Sequence, residues 1–142
     1  MLDVTLSPTL AALLGFAGWT VLLVFTMLSH RTFLVFTGKR QANAWPRGAA
    51  PPQGDPVLMV RLNDAHQNCV ENLPIFAAIA LVAAALDRLS ATDPFAFYVL
   101  AARVAQSITH LLGTSHRHVF VRATFFGAQL ALFLTMVVAL VW

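Results

Sequence analysis

The sequence RLNDAHQNCVENLPIF, residues 61–76, decides the fold because its polar first half runs without a break into an apolar second half. At 100° per residue, a helix through this segment places four polar side chains in one stripe about 80° wide. These side chains are Arg61, Asp64, Asn68 and Glu71. Residues 72–86 carry no charge, so the joined segment is long enough to cross a bilayer. Charged groups near hydrocarbon are costly unless they face protein or a wet cavity, and they indicate a functional site.

The composition is typical of an integral membrane protein. Of the 142 residues, 58% are hydrophobic and 11% are charged, whereas an average soluble domain has roughly 25% charged residues. The sequence pI of about 10.0 rests on a net charge of +3, and the basic residues fall in connections between apolar runs. We interpret them as orientation signals and expect no nucleic-acid partner. The single cysteine, Cys69, excludes an intrachain disulfide.

Hydrophobic runs predict an all-α fold, an integral-membrane four-helix bundle that forms one domain over residues 1–142. The expected spans are residues 8–36, 57–86, 94–112 and 119–141. Pro8 suits the first turn of the first helix, and the Asp93-Pro94 pair is expected to cap and begin the third. Glycines and prolines over residues 38–56 predict an exposed loop. The first run is too long for a signal-peptide core, so we interpret it as a retained span.

Basic residues are distributed unevenly between the two ends of the predicted bundle. The connections after spans one and three, with the adjoining helix ends, hold Arg31, Lys39, Arg40, Arg47, Arg61, Arg117 and Arg122. The other end has Arg88 beside two aspartates, and the N-terminus has Asp3. By the positive-inside rule, the basic loops are expected in the cytoplasm and both termini outside.

The polar faces of helices two, three and four all lie towards the predicted cytoplasmic half. On helix three the polar side chains are Arg103, Gln106, Ser107 and His110, and on helix four Arg122 and Gln129 share a face with Phe126 and Phe133. An ion pair between Arg103 and Glu71 is the least costly way to hold either charge in the membrane, whether it locks the bundle or serves a site. The donors of Arg61, Asn68 and Arg122 suit an anionic ligand. Snorkelling of the arginines to lipid phosphate is the other interpretation.

The histidines and the cysteine give weaker signals. No carboxylate or second cysteine completes a ligand set with His66, His110, His116 and His118, so no metal site is expected. Cys69 is interpreted as a packing residue. Ser107 and His110 are three residues apart on a helix, but no residue that orients the histidine is evident in the sequence.

One longer pattern connects these residues: Arg61-x-x-x-Ala65-His66-x-Asn68-x-x-Glu71-Asn72-x-Pro74. It resembles the second-helix signature of the MAPEG family, the membrane-associated proteins in eicosanoid and glutathione metabolism. Arg103-Val104-Ala105 is similar to the third-helix arginine segment of that family, and Arg122 followed by Gln129 and Leu130 resembles its fourth-helix opening. The resemblance covers nearly the whole chain.

The resemblance implies a homotrimer that binds glutathione between adjacent subunits near the cytoplasmic face, while a lipophilic electrophile approaches from the membrane lipids. Arg122 matches the arginine associated with stabilising the thiolate, which makes it the candidate catalytic residue. A nearby cation favours the ionised, nucleophilic form of a thiol. The candidate cofactor-binding residues are Arg61, Asn68, Glu71, Asp64, Gln106 and His110.

The chain departs from the family pattern at several positions. Asp64 stands where many members have an arginine, and it suits an ammonium group instead. His110 and Phe126 stand in place of tyrosines, while Tyr98 lies near the opposite face. Arg117 is an alternative to Arg122, since the preceding loop is longer than usual.

The function that the resemblance implies is that of a membrane-bound glutathione transferase or peroxidase, and two other functions stay open at the level of sequence. The first is a catalytically silent lipid-binding or scaffolding protein of the same fold. The second is a small transporter with Glu71 and Arg103 as a relay, although the chain lacks the internal repeat and broken-helix pairs expected of a transporter.

Overall fold

The structure is a computed structural model that describes residues 6–46 and 48–142. In these residues it contains four helices and no strand: α1 Pro8–Phe36, α2 Val57–Ala85, α3 Leu89–Leu112 and α4 His116–Val141. Each helix is long and apolar enough to cross a membrane. The predicted all-α, four-helix membrane bundle is therefore confirmed. Asp3 and Arg47, which entered the orientation argument, lie outside the described residues.

The helices pack so that α1 contacts α2 and α3, while α4 packs mainly against α3 and touches α2 over a shorter stretch. The core contains a column of three phenylalanines from α1, α2 and α4. The ring centroids of Phe16 and Phe76 are 6.2 Å apart, and those of Phe76 and Phe133 are 6.0 Å apart. Many large apolar side chains point outward instead, as expected for helices whose solvent is lipid.

The beginning of α1 is capped twice, once from its own chain segment and once from α3. Ser7 Oγ accepts a hydrogen bond from the Leu10 amide at 3.3 Å, and Pro8 occupies the first turn as predicted. Asp93 Oδ1 then accepts the amide N–H of Thr9 at 2.9 Å and its hydroxyl at 2.7 Å. The carboxylate therefore satisfies a helix-terminal donor that has no partner within its own helix.

This use of Asp93 corrects the predicted start of the third helix. α3 begins at Leu89 rather than at residue 94, so Asp93 caps α1 and not α3. Leu89 and Ala91 pack against the core, and this burial favours a helical turn upstream of Pro94. Pro94 lies inside the helix, where its ring nitrogen donates no hydrogen bond.

The fourth helix also begins earlier than predicted, at His116 rather than at residue 119. Its N-cap is Ser115, whose hydroxyl lies 2.7 Å from His118 Nδ1. The His118 ring packs against Gly113, since a Cβ at that glycine would lie 2.7 Å from the ring. The packing of the His118 ring on Gly113 holds this first turn close to the end of α3.

Two further contacts hold α3 against its neighbours. Gly15 of α1 lies so close to Leu100 that a Cβ there would be 2.8 Å from Cδ2 of the leucine. At the other face, Arg88 Nη1 donates to the carbonyl of Leu140 at 2.7 Å. A cation that donates to the last carbonyls of a helix stabilises its C-terminus.

Candidate functional site

The polar stripe of α2 runs along the edge of the helix, beside its buried face. The buried face contains Leu62, Ala65, Cys69, Asn72 and Phe76, so each stripe residue directly precedes a buried one. Arg61 and Asn68 are half-buried, whereas Asp64 and Glu71 are exposed. The stripe therefore reaches the outside of the single chain along its whole length.

Arg61 connects the beginning of α2 to the end of α3. Its Nη1 donates to the carbonyls of Leu111 at 3.2 Å and Leu112 at 3.3 Å. These carbonyls belong to the last turn of a helix, where they lack intrahelical partners and carry partial negative charge. The buried Nε of Arg61 has no hydrogen-bond partner in the described part of the chain. Arg61 thus has a structural contact and one unused donor.

Asp64 and His110 form a contact that the sequence did not predict. His110 Nε2 lies 3.6 Å from Asp64 Oδ2, and the side chains are 7% and 52% exposed, respectively. The imidazole is therefore held inside the bundle while the carboxylate reaches its surface. A carboxylate at this distance orients the imidazole, so the orienting residue that seemed missing from the sequence is Asp64.

Charged side chains from two other helices act electrostatically on the imidazole of His110. Arg122 of α4 and both Asp64 and Arg61 of α2 lie within electrostatic range of the ring. Arg122 is half-buried, in the early turns of α4. Three helices therefore contribute charged or titratable groups to one end of the bundle, and we call Arg61, Asp64, His110 and Arg122 the polar cluster.

Asn68 and Glu71 lie further along α2. The Asn68 amide donates to the carbonyl of Asp64 at 3.2 Å, and the Asn72 amide donates to the carbonyl of Asn68 at 2.8 Å. Asn68 therefore bonds within its own helix. Glu71 is exposed, and it acts on Arg103 only at longer range.

The predicted ion pair between Arg103 and Glu71 is wrong within the single chain. The ion pair found among residues 6–46 and 48–142 joins His110 and Asp64. Arg103 instead donates through Nη2 to Gln129 Oε1. The physical reason is the rotation of α3, which points Arg103 towards α1 and α4 rather than towards the outer edge of α2.

Arg103 is the centre of a buried polar group in the middle of the bundle. It is 0% exposed, and its guanidinium carbon lies 5.4 Å from the centroid of the Phe16 ring, a cation–π distance. Ser107 Oγ donates to the Arg103 carbonyl at 3.0 Å and lies 3.7 Å from Cys69 Sγ. These contacts are enclosed by core packing, so they favour the interpretation of Arg103 and Cys69 as structural residues.

Some buried polar atoms have no partner among the described residues. On α3 and α4 they are Nε and Nη1 of Arg103, Nε2 of Gln129 and Oε1 of Gln106. Gln106 is 6% exposed and lies one turn from His110 on the buried face of α3. Its free acceptor leaves it able to bind a donor from a ligand or a water.

The remaining histidines are not arranged as metal ligands. In the part of the chain that the structure describes, no group of three or more His, Cys, Asp or Glu side chains could hold a metal ion. His116 is exposed in the first turn of α4, and His118 contacts Ser115.

The structure also contains a cleft of about 280 Å³ between the loop, α1 and α2. Its polar lining includes Arg31, Asp55, Asn63, His66 and Gln67. The Trp45 indole N–H donates to Asp55 Oδ2 at 2.6 Å, and the Arg31 guanidinium lies 5.3 Å from the Trp45 ring centroid. The sequence analysis interpreted this loop only as an exposed connection. A tryptophan within a proline- and glycine-rich loop was the available signal that part of it folds back onto the helices.

Comparison with known proteins gives one match. The family model described as the MAPEG family matches residues 9–142. Neither the curated proteins nor the solved structures gave a match.

Proposed function

The chain belongs to the MAPEG family of helical membrane proteins, and from that premise we propose that it is a membrane-bound glutathione transferase or peroxidase. The family includes enzymes of both kinds. The proposed substrates are lipophilic electrophiles, and the proposed co-substrate is glutathione. In this proposal Arg122 stabilises the glutathione thiolate near the cytoplasmic face.

The observation that carries this proposal is the polar cluster at one end of the bundle. Arg61 and Arg122 supply guanidinium groups that suit the carboxylates of a peptide. Asp64 supplies an exposed carboxylate that suits an ammonium group. A zwitterionic tripeptide has groups of both signs, so the charges of the cluster match it better than they match a simple anion. A thiol beside Arg122 is more easily ionised, because the cation stabilises the thiolate.

The other candidate cofactor-binding residues have positions compatible with the same ligand. Asn68 lies one turn beyond Asp64, Glu71 follows on the same edge, and Gln106 offers an unpartnered oxygen one turn from His110. Asp64 and Glu71 are open to the outside of the chain. An exposed carboxylate in a membrane-spanning helix requires a polar neighbour. A homotrimer, the usual assembly of MAPEG proteins, would supply that neighbour and close the site.

An apolar groove supports a membrane-derived second substrate. The groove lies between α2 and α4, measures about 730 Å³, and is lined by Ile75, Leu130, Leu134 and Val137 among others. It opens on the lipid-facing surface of both helices. A lipophilic electrophile can therefore partition into the bilayer and reach α4 without crossing water.

The test is conjugation of a generic aryl halide to glutathione by the purified protein, with Arg122→Ala and Arg117→Ala as a matched pair. We expect wild-type turnover, a thermal shift on adding glutathione, and a roughly 10²-fold or greater loss of kcat/KM in Arg122→Ala, as for loss of a group that stabilises developing negative charge. Arg117 is exposed in the first turn of α4, so its variant should keep nearly full activity. No turnover together with no thermal shift contradicts the proposal, and a loss confined to Arg117→Ala transfers the catalytic role to that residue.

A catalytically silent lipid-binding or scaffolding protein of the same fold is the second candidate. It is favoured by a second apolar groove, about 600 Å³ between α3 and α4, which is lined by Tyr98, Phe125 and Leu132 among others. It is also favoured by the use of Arg61 in holding the α3 carbonyls. Lipid that co-purifies with the protein, combined with an Arg122→Ala variant that keeps every measurable property, would support this candidate over the enzyme.

The proposed orientation has both termini outside and the basic loops in the cytoplasm. Its support is the position of the described basic residues Arg31, Lys39, Arg40 and Arg117 at the end of the bundle that also holds the polar cluster. The site would then draw on cytoplasmic glutathione.

A further inference from the structure

We propose that His110 is the base that accepts the proton of the glutathione thiol, and that Asp64 is the positioning residue that holds its imidazole for this step. The inference rests on the proposed transferase function and adds a proton acceptor to it. It concerns two residues, one on α2 and one on α3, whose side chains meet only in the folded bundle.

The first argument is the geometry of the pair. His110 Nε2 faces Asp64 Oδ2 at 3.6 Å, and the imidazole is 7% exposed. With Nε2 as the protonated nitrogen directed at the carboxylate, Nδ1 keeps its lone pair and is the acceptor for a proton. The separation is slightly longer than a hydrogen bond, as is common for catalytic contacts without ligand, which tighten in the complex.

The second argument is the charge around the ring. The groups within range are Asp64 and Arg61 from α2 and Arg122 from α4. Transfer of a proton from the thiol to Nδ1 creates one anion and one cation inside the same cluster, so its net charge does not change. Arg122 stabilises the thiolate and Asp64 stabilises the imidazolium, and each product therefore has an oppositely charged neighbour.

The third argument is access. His110 is enclosed, whereas Asp64 is 52% exposed, so the pair extends from the bundle interior to its surface. The Nε2 edge of the imidazole, which faces Asp64, is therefore the edge nearest to the surface. The proton can later leave to water along the same path.

The proposed reaction balances for an aryl chloride. Nδ1 of His110 takes the proton as the S–H bond breaks, and the electron pair stays on sulfur. The thiolate sulfur attacks the ring carbon to form the S–C bond, and the C–Cl bond breaks with departure of chloride. The imidazolium then releases its proton to water, so that thiol and aryl chloride give thioether, chloride and one proton.

The experiment measures kcat/KM against pH, and the thiolate ultraviolet absorbance of bound glutathione, in His110→Gln, Asp64→Asn and Asp64→Glu. For His110→Gln we expect a loss of 10²–10⁴-fold at pH 7, the usual contribution of a general base. The loss should shrink above roughly pH 9, where the free thiol is already ionised. Asp64→Asn should lower the rate roughly 10-fold or more, because the ring loses its orienting partner, and Asp64→Glu should recover most of it.

Asp87→Asn is the matched control, since Asp87 is an exposed aspartate in the turn between α2 and α3. Its φ of 55° is a conformation that asparagine accepts. A purely structural role for the pair would lower thermal stability in the Asp64 variants without changing the shape of the pH profile. If His110→Gln does not fold, the comparison of Asp64→Asn with Asp64→Glu decides the question by the same profile.

Two results overturn the inference, and they differ in what else they overturn. An active wild type whose pH profile and thiolate band persist in His110→Gln, or in Asp64→Asn, removes the proposed base and leaves the transferase function intact. A wild type that neither binds glutathione nor turns over removes the proposed function, and the inference with it.

Discussion

Replacing Gln129 with leucine tests whether the buried arginine depends on this one side chain. Arg103 is 0% exposed, and Gln129 Oε1 is its hydrogen-bond acceptor among the described residues. Leucine has a volume similar to that of glutamine but no acceptor. Among the described residues, the substitution therefore leaves the guanidinium in the core with the face of the Phe16 ring as its remaining side-chain partner.

The expected cost follows from the charge on Arg103. A neutral hydrogen bond between membrane helices contributes about 0.6 kcal/mol on average, whereas a hydrogen bond to a charged group contributes about 1.5–3 kcal/mol. Leucine also removes the unpartnered Nε2 of Gln129, which returns about 1 kcal/mol of desolvation cost. We therefore expect a net loss of roughly 0.5–2 kcal/mol, which corresponds to roughly 1–8 °C in Tm for a chain of this size.

The assay is thermal unfolding in detergent followed by circular dichroism, with Gln106→Leu as the matched control. Gln106 is buried on α3, and its Oε1 has no partner in the described residues, so its replacement should leave the free energy of unfolding unchanged or raise it by about 1 kcal/mol. Gln129→Glu should raise Tm, because a carboxylate neutralises the buried guanidinium. Equal Tm values for the two leucine variants, or a lower Tm in Gln129→Glu, would refute the assignment of Gln129 as the partner of Arg103.

Three other substitutions test the packing and the orientation. Asp93→Ala removes the acceptor of two Thr9 donors and should lower stability by about 1–3 kcal/mol, measured as a Tm shift; an unchanged Tm would contradict the cap. Gly15→Val should lower Tm more than Gly15→Ala, because each added atom is forced towards Leu100; equal effects would argue against the close approach of α1 and α3. Ser115→Cys should react with a membrane-impermeant maleimide only after cells are permeabilised, and labelling of intact cells would reverse the proposed orientation.

The number of helices and the polarity of their faces were predictable from the sequence. Long apolar runs define spans because a bilayer fixes the minimum length of a helix that crosses it. The 3.6-residue period also predicted that Arg103, Gln106, Ser107 and His110 share a face of α3, and all four are buried. Both properties depend on local sequence alone.

The partners of the charged residues were not predictable in the same way. The helical period states which residues share a face but not how neighbouring helices are rotated about their axes. The Arg103–Glu71 pair was predicted only from the similar depth of the two residues in the membrane. The rotation of α3 instead directs Arg103 towards Gln129, to which it donates a hydrogen bond. The same rotation brings His110 to Asp64. The predicted start of α3 was wrong for a related reason, because Asp93 caps α1 instead of α3.

The buried polar group around Arg103 and the polar cluster around His110 differ in their access to a ligand. This difference decides which of the two serves a site. Arg103 and His110 are seven residues apart, about 10.5 Å along the helix axis. Arg103 is enclosed by α1 and α4, so a ligand reaches it only if the bundle opens, whereas the cluster at His110 has an exposed carboxylate. Glu71 belongs to neither group, because it is an exposed charge on a spanning helix with no ion-pair partner in the described chain. Such a charge is costly against lipid, so the edge of α2 that carries Glu71 is the surface at which the proposed trimer gains most from a second copy.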